Sequence, residues 1–299
     1  MKTANLRYSR SAGARAFTII EIAICLGIIG FALVAIIAVL PRGLDVQKRN
    51  REETIIGQDA DMWMSAIRNG SRGYDDLTNY VIAVTNIWTQ YDDRYKVVKS
   101  GMDFYTPTSS GVTSPIATPP NSFPLTNGAH IIGLLSMPKR VPEFVLAPPA
   151  TGFQSNYVIA YVRAFSGTVV NKAPQTNSII LSDAFIYRMI VENFSYAPMD
   201  TNAFCLDCAA TNTPDGKGLT PGQMAERTNL MRTAWMLQTN AHDFRLRFRW
   251  PVLPNGQIPN YGLATFRSMT SGSLLSNADN GQPMYFVQSS SYAEVTNSP

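Results

Sequence analysis

Phe17 to Leu40 is an unbroken run of 24 residues in which Glu21 is the only charged side chain. As a helix it would be roughly 36 Å long, enough to cross a hydrocarbon core of about 30 Å with some tilt. A carboxylate inside such a run is costly against lipid, and by default it marks a function that involves a partner. The preceding sixteen residues carry Lys2, Arg7, Arg10 and Arg15 and no acid. That asymmetry holds the leader on the cytoplasmic side and sends the rest of the chain across the membrane. Ala14-Arg15-Ala16 has the form of a secretory cleavage site, but it precedes the apolar run, whereas ordinary signal peptidase cuts after it.

The octapeptide Arg15-Ala16-Phe17-Thr18-Ile19-Ile20-Glu21-Ile22, with its basic leader and apolar continuation, resembles the class III signal of type IV pilins and type II secretion pseudopilins. Ala16 takes the last leader position, where that family prefers Gly. Phe17 takes the first mature position, and Glu21 is the fifth mature residue. The resemblance covers about the first 45 residues. It implies that residues 1–16 are removed by a prepilin peptidase cutting between Ala16 and Phe17, with methylation of the new Phe17 amine. Residues 17–40 would be a transmembrane and filament-core helix, 41–68 the exported half of the same helix, and 69–299 a globular head. Glu21 would serve filament assembly by meeting the Phe17 amine of a neighbouring subunit. The implied partners are other pilin or pseudopilin subunits, the peptidase and an inner-membrane assembly platform, with no cofactor and no catalysis of its own. The implied location is the inner membrane, single pass, with the head periplasmic or otherwise extracytoplasmic, or extracellular in a surface filament. A mature chain of this length leans towards a minor subunit. The alternative is a single-pass anchor carrying an exported binding or enzymatic domain; such an anchor shares the length and the basic flank but does not need Glu21.

The chain has 25 Lys and Arg against 21 Asp and Glu. Removing the four leader cations leaves 21, so the mature chain is formally neutral. This argues against nucleic acid or a general membrane-surface role for the exported part. A DNA-uptake subunit would instead show a basic patch on the folded head.

Cys25 falls inside the apolar run and packs as a small hydrophobe. Cys205 and Cys208 lie in an exported Asn/Thr/Asp/Gly stretch, Met199 to Gly222. A local disulfide is the expectation in an oxidising compartment, with free thiols or redox or metal chemistry as alternatives. A thioredoxin-type pair would need a strand–helix setting. A zinc site would need two more ligands, and His130 and His242 are isolated. Asp200, Asp207 and Asp215 lack the alternating oxygen ligands of a calcium loop. No Gly-x-Ser-x-Gly, His-Glu-x-x-His or phosphate-cradling glycine loop is present.

Along the chain, Ile56, Ala60, Trp63 and Ile67 mark one buried helical face, with a weak point at Pro41 and Gly43 and a stop at Asn69-Gly70. Leu77 to Tyr95 reads as strand or helix. Tyr105 to Pro124, with five prolines, reads as loop, and Ile131 to Leu135 as a short apolar run before a turn-rich stretch at 138–149. Tyr157–Phe165 and Ile179–Tyr196 are strand candidates, and Met224 to Leu237 a helix with Met224, Thr228, Met231 and Trp235 on one side. In Asp243–Trp250, Phe244, Leu246, Phe248 and Trp250 alternate with Arg245, Arg247 and Arg249, which predicts one buried and one wet face. The arginine stripe is either a solvated face with acids on its neighbours or a contact for an acidic surface. Tyr261–Met269 and Pro283–Gln288 read as strands and Ser289–Pro299 as a polar tail. The expected class is α+β: a long N-terminal helix on a mainly antiparallel sheet.

Overall fold

The structure is a computed structural model describing residues 18–70, 75–107, 121–147, 150–166, 185–195, 220–253, 255–259, 262–279 and 282–293. The chain divides into two compact units, Met1–Glu52 and Glu53–Pro299. The first helix, α1, spans Ile19–Asn69, with Pro41 inside it. Proline has no N–H, so the helical bond to the Ile37 carbonyl is missing. Helix nevertheless continues through Arg42 and Gly43. At the other end Gly70 adopts φ +67, the left-handed conformation that ends helices and that glycine takes without steric cost.

In the second unit the chain is α+β. A 3-10 turn at Asp75–Asn79 leads to β1 (Val81–Asp92), β2 (Val97–Pro107) and β3 (Ser122–Leu125). Helix α2 (Gly128–Leu135) follows, then β4 (Arg140–Ala147), β5 (Ala150–Arg163) and β6 (Ile186–Ser195). Helix α3 (Pro221–Asn240) precedes β7 (Ala241–Trp250), β8 (Gly262–Ser271), β9 (Ser273–Asp279) and β10 (Gln282–Gln288). The main sheet has eight strands in the order β3-β2-β1-β5-β6-β7-β8, with β4 also on β5; β9 and β10 form a separate hairpin. Within the main sheet only β2 and β3 run parallel.

Side chains alternate across a strand, so the register defines two faces. Val84, Ala160, Met189, Phe248 and Ala264 are successive partners across β1, β5, β6, β7 and β8 on the inner face. Against it lies the face of α1 formed by Ile56, Ala60, Trp63 and Ile67, none more than 1% exposed, with α2 in the same core. The predicted helical stripe is therefore the one that packs. Two polar groups taken into this core find partners: Trp63 Nε1 donates to Tyr187 Oη at 2.9 Å, and Asp59 accepts the backbone N–H groups of Phe165 and Ser166 at 3.3 and 3.0 Å. Burial raises the Asp59 carboxyl above the ordinary aspartate range despite those donors.

Several sequence expectations are corrected. Tyr105–Pro124 is not all loop: Tyr105–Pro107 complete β2, and Ser122–Pro124 lie in β3. Pro107 is the last residue of its strand, and Pro124 lies on an edge strand, where a missing N–H is tolerated. The stretch at 138–149 contains β4, whose pairing with β5 shifts register between Val141 and Phe144, around Pro142. Ile131–Leu135 belongs to α2, whose N-cap Asn127 accepts the His130 N–H at 2.8 Å. Pro221 and Gly222 start α3 instead of ending a loop; Thr220 and Gln223 form its capping box, and a proline in the first turn lacks only a hydrogen that has no helical partner there. Strand β9 has no counterpart among the expectations. The side chains of Thr228, Met231 and Trp235, and residues 179–184, lie outside the described residues.

Candidate assembly site

Among the described residues one helix, α1, is long and apolar enough to cross a membrane. Every residue from Thr18 to Arg51 is exposed, and its large apolar side chains range from 50% exposed at Ile22 to 88% at Ile19. Such a surface requires lipid or other chains around it.

Glu21 sits in the first turn of α1. The Thr18 backbone N–H and the Thr18 hydroxyl both donate to Glu21 Oε2, each at 2.9 Å. The Glu21 N–H points back to Thr18 Oγ1 at 3.4 Å. This is a reciprocal capping box, Thr-x-x-Glu, which satisfies donors that a helix start leaves without intrahelical partners. Thr18-Ile19-Ile20-Glu21 carries that signature in the sequence, so the cap is legible there. The carboxylate keeps Oε1 clear of these local bonds. Ala16 and Phe17, the expected cleavage and methylation positions, and Cys205 and Cys208 all lie outside the described residues. Cys25 is a free, exposed thiol on α1.

The arginine stripe of β7 resolves into unlike parts. Arg245 donates through Nε and Nη2 to Asp243 Oδ2 at 3.1 and 3.0 Å, and Arg267 on β8 donates to Asp243 Oδ1 at 2.7 Å. Burial alone would raise the Asp243 carboxyl, but the hydrogen bonds of Arg267 and Arg245 hold it below the usual range. Arg247 pairs with Glu192 on β6, which also holds Lys139 at 3.3 Å. Glu192 is likewise held low by Arg247 and Lys139 against the upward pull of burial. Arg249 has no such partner among the described residues. The solvated, acid-paired alternative therefore holds for Arg245 and Arg247 but not for Arg249. Asp243 falls in phase with the arginines and could have been read from the alternation; Glu192 required the strand register.

His130 and His242 are both buried, at 4% exposure. Burial holds the His242 imidazole below its ordinary range, hence neutral. Among the described residues no group of three or more His, Cys, Asp or Glu could hold a metal ion. No protein-family model, curated protein or solved structure matches the chain.

Proposed function

We propose that this protein is a structural subunit, of the minor pseudopilin or pilin-like kind, of a type II secretion or type IV pilus-like filament. The observation that carries the reading is the N-terminal register. A basic leader ends at Ala16-Phe17, Glu21 is the single acid of the apolar run, and the helix that follows leaves its apolar side chains uncovered. An apolar helix surface of this extent suits lipid before assembly and neighbouring helices after it. Residues 1–16 are then a leader cut by prepilin peptidase, Phe17 the methylated N-terminus, and the head an extracytoplasmic domain. The protein has no catalytic role in this reading; its partners are sister subunits, the peptidase and the assembly platform.

The second reading, an anchored exported domain, is favoured by the capping box, which gives Glu21 a local task in any helix that starts here. N-terminal sequencing of membrane-extracted protein separates the two. The filament subunit begins at Phe17, with or without a methyl group. An intact Met1, or a start after Leu40, removes the filament reading.

A further inference from the structure

The outer face of the main sheet carries six cations on its last four strands, and three of them are paired with Asp243 or Glu192. The other three gather at one end. Arg188 on β6 and Arg249 on β7 are direct cross-strand partners. Arg163, on β5, pairs with Ile186, two residues before Arg188, so it lies on the same face and diagonal to Arg188. Direct partners are about 5 Å apart and diagonal neighbours about 7–8 Å, within mutual reach of arginine side chains. None of the three forms an ion pair with a described residue. Arg163 is only 6% exposed, and the buried Nε–H groups of Arg163 and Arg188 have no hydrogen-bond partner.

Each of these facts is unfavourable to the chain alone. Like charges directly opposite on a sheet repel, and a buried guanidinium N–H without an acceptor loses its hydration for nothing. Burial even lowers the Arg163 pKa, with no acid acting against it. An anion placed among them reverses all of these costs. Guanidinium forks fit tetrahedral and planar oxyanions, donating two parallel hydrogen bonds to each. Three unpaired positive charges favour a dianion with several acceptor oxygens over a monocarboxylate. A nucleic-acid strand is disfavoured, because Arg245, Arg247 and Arg267 on the rest of this face are already engaged by Asp243 and Glu192 and offer no open track for successive phosphates.

We propose that Arg163, Arg188 and Arg249 form a binding site for a single phosphate group on the outer face of the sheet, where β5 and β7 end and β6 begins. The group comes either free or on a phospholipid head group, and the chemistry of recognition is the same. The site does not depend on the filament reading.

The test uses the full chain in non-ionic detergent, at constant ionic strength in phosphate-free buffer, with calorimetric titration and thermal melting as readouts. Inorganic phosphate should bind saturably and raise the melting temperature, and acetate should do neither. Arg188→Gln and Arg249→Gln should each weaken binding about tenfold, the effect of losing one charge-assisted contact. Arg245→Gln, whose side chain is engaged by Asp243, should bind like the wild type. Without phosphate, Arg249→Gln should melt no lower than the wild type, because it relieves the repulsion with Arg188; a purely structural role for Arg249 predicts a lower melting temperature. A larger response to short-chain phosphatidic acid than to inorganic phosphate assigns the lipid source, and the reverse assigns the free ion. The site is overturned if the folded chain takes up no phosphate up to roughly 10 mM, or if Arg188→Gln and Arg249→Gln bind as the wild type does.

Discussion

Asp243 shows how one residue can settle the character of a whole face. Its carboxylate is nearly buried, yet it serves two arginines that are themselves half-exposed. The pKa of the folded state is lowered, so the native state holds fewer protons than the unfolded chain in the mildly acid range. Its contribution is thus complete above the ordinary carboxylate range and is lost as pH falls through the lowered folded value. Asp243→Asn should cost about 1–2 kcal/mol at neutral pH, the lower part of the range for a charged hydrogen bond because both arginines can return to water. Urea unfolding at a series of pH values checks this. The gap between variant and wild type should close as the pH falls below the ordinary aspartate range; a gap that persists there would mean that the loss is one of shape and not of charge. Asp59 works in the opposite sense. Its carboxyl is raised by burial, so its own contribution grows as the solution is acidified, and the acid limb of the whole protein reflects the two effects together.

At the scale of elements, the docking of α2 on the β9–β10 hairpin turns on Gly133. A Cβ at that position would stand 2.9 Å from Met284 Cβ and 2.9 Å from Phe286 Cζ. The phenyl tip can swing away, but Met284 Cβ moves only with its backbone. Gly133→Ala should gain about 1 kcal/mol in helix propensity and lose about 1–3 kcal/mol to overpacking. The expected net result is destabilisation, together with faster hydrogen exchange in β9 and β10; unchanged exchange there would place the tolerance in the hairpin. Nothing in the sequence distinguished Gly133 from a passive glycine, because its constraint comes from a strand 150 residues further on. The same limit explains which elements were legible. The α1 stripe and β7 were, because one local period carries their burial. Strand β9, Ser-Leu-Leu-Ser-Asn-Ala-Asp, was not, because its pairing with β10 is supplied by the hairpin and not by alternation. Prolines misled at β3 and β4, where an edge position and a register shift absorb the missing donor. The candidate site was legible as a motif from Ala16 to Ile22, since sequence order alone defines it. The arginine trio was not, because Arg163, Arg188 and Arg249 meet only once β5, β6 and β7 are in register.

For the molecule as a whole, the question is whether Glu21 acts within its own chain or between chains. Both tasks fall on one carboxylate: Oε2 caps the helix through Thr18, and a sister subunit's N-terminal amine is the partner in the filament reading. Burying an amine and a carboxylate together costs several kcal/mol for each ion, so such a pair adds little net stability to a fibre. Its effect is on register, since only one axial offset lets the two charges meet and every other leaves one unpaired in an apolar core. The capping box makes the two tasks separable. Glutamine at the third helical position still closes the box, so Glu21→Gln keeps the cap and removes the charge. Glu21→Ala removes the charge and the carboxylate half of the box, leaving only the bond from the residue-21 N–H to Thr18 Oγ1. Each variant should be co-expressed with its own filament machinery, and its recovery measured in the membrane fraction and in sheared or crosslinked fibres. Both variants should reach the membrane at the wild-type level, because insertion depends on the apolar run and the basic leader. On the filament reading both should be depleted from fibres to the same degree, because in that reading the charge sets the register. Depletion of Glu21→Ala alone would assign the residue to the cap. Normal incorporation of both would transfer the protein to the anchored-domain reading, in which Glu21 only starts a helix.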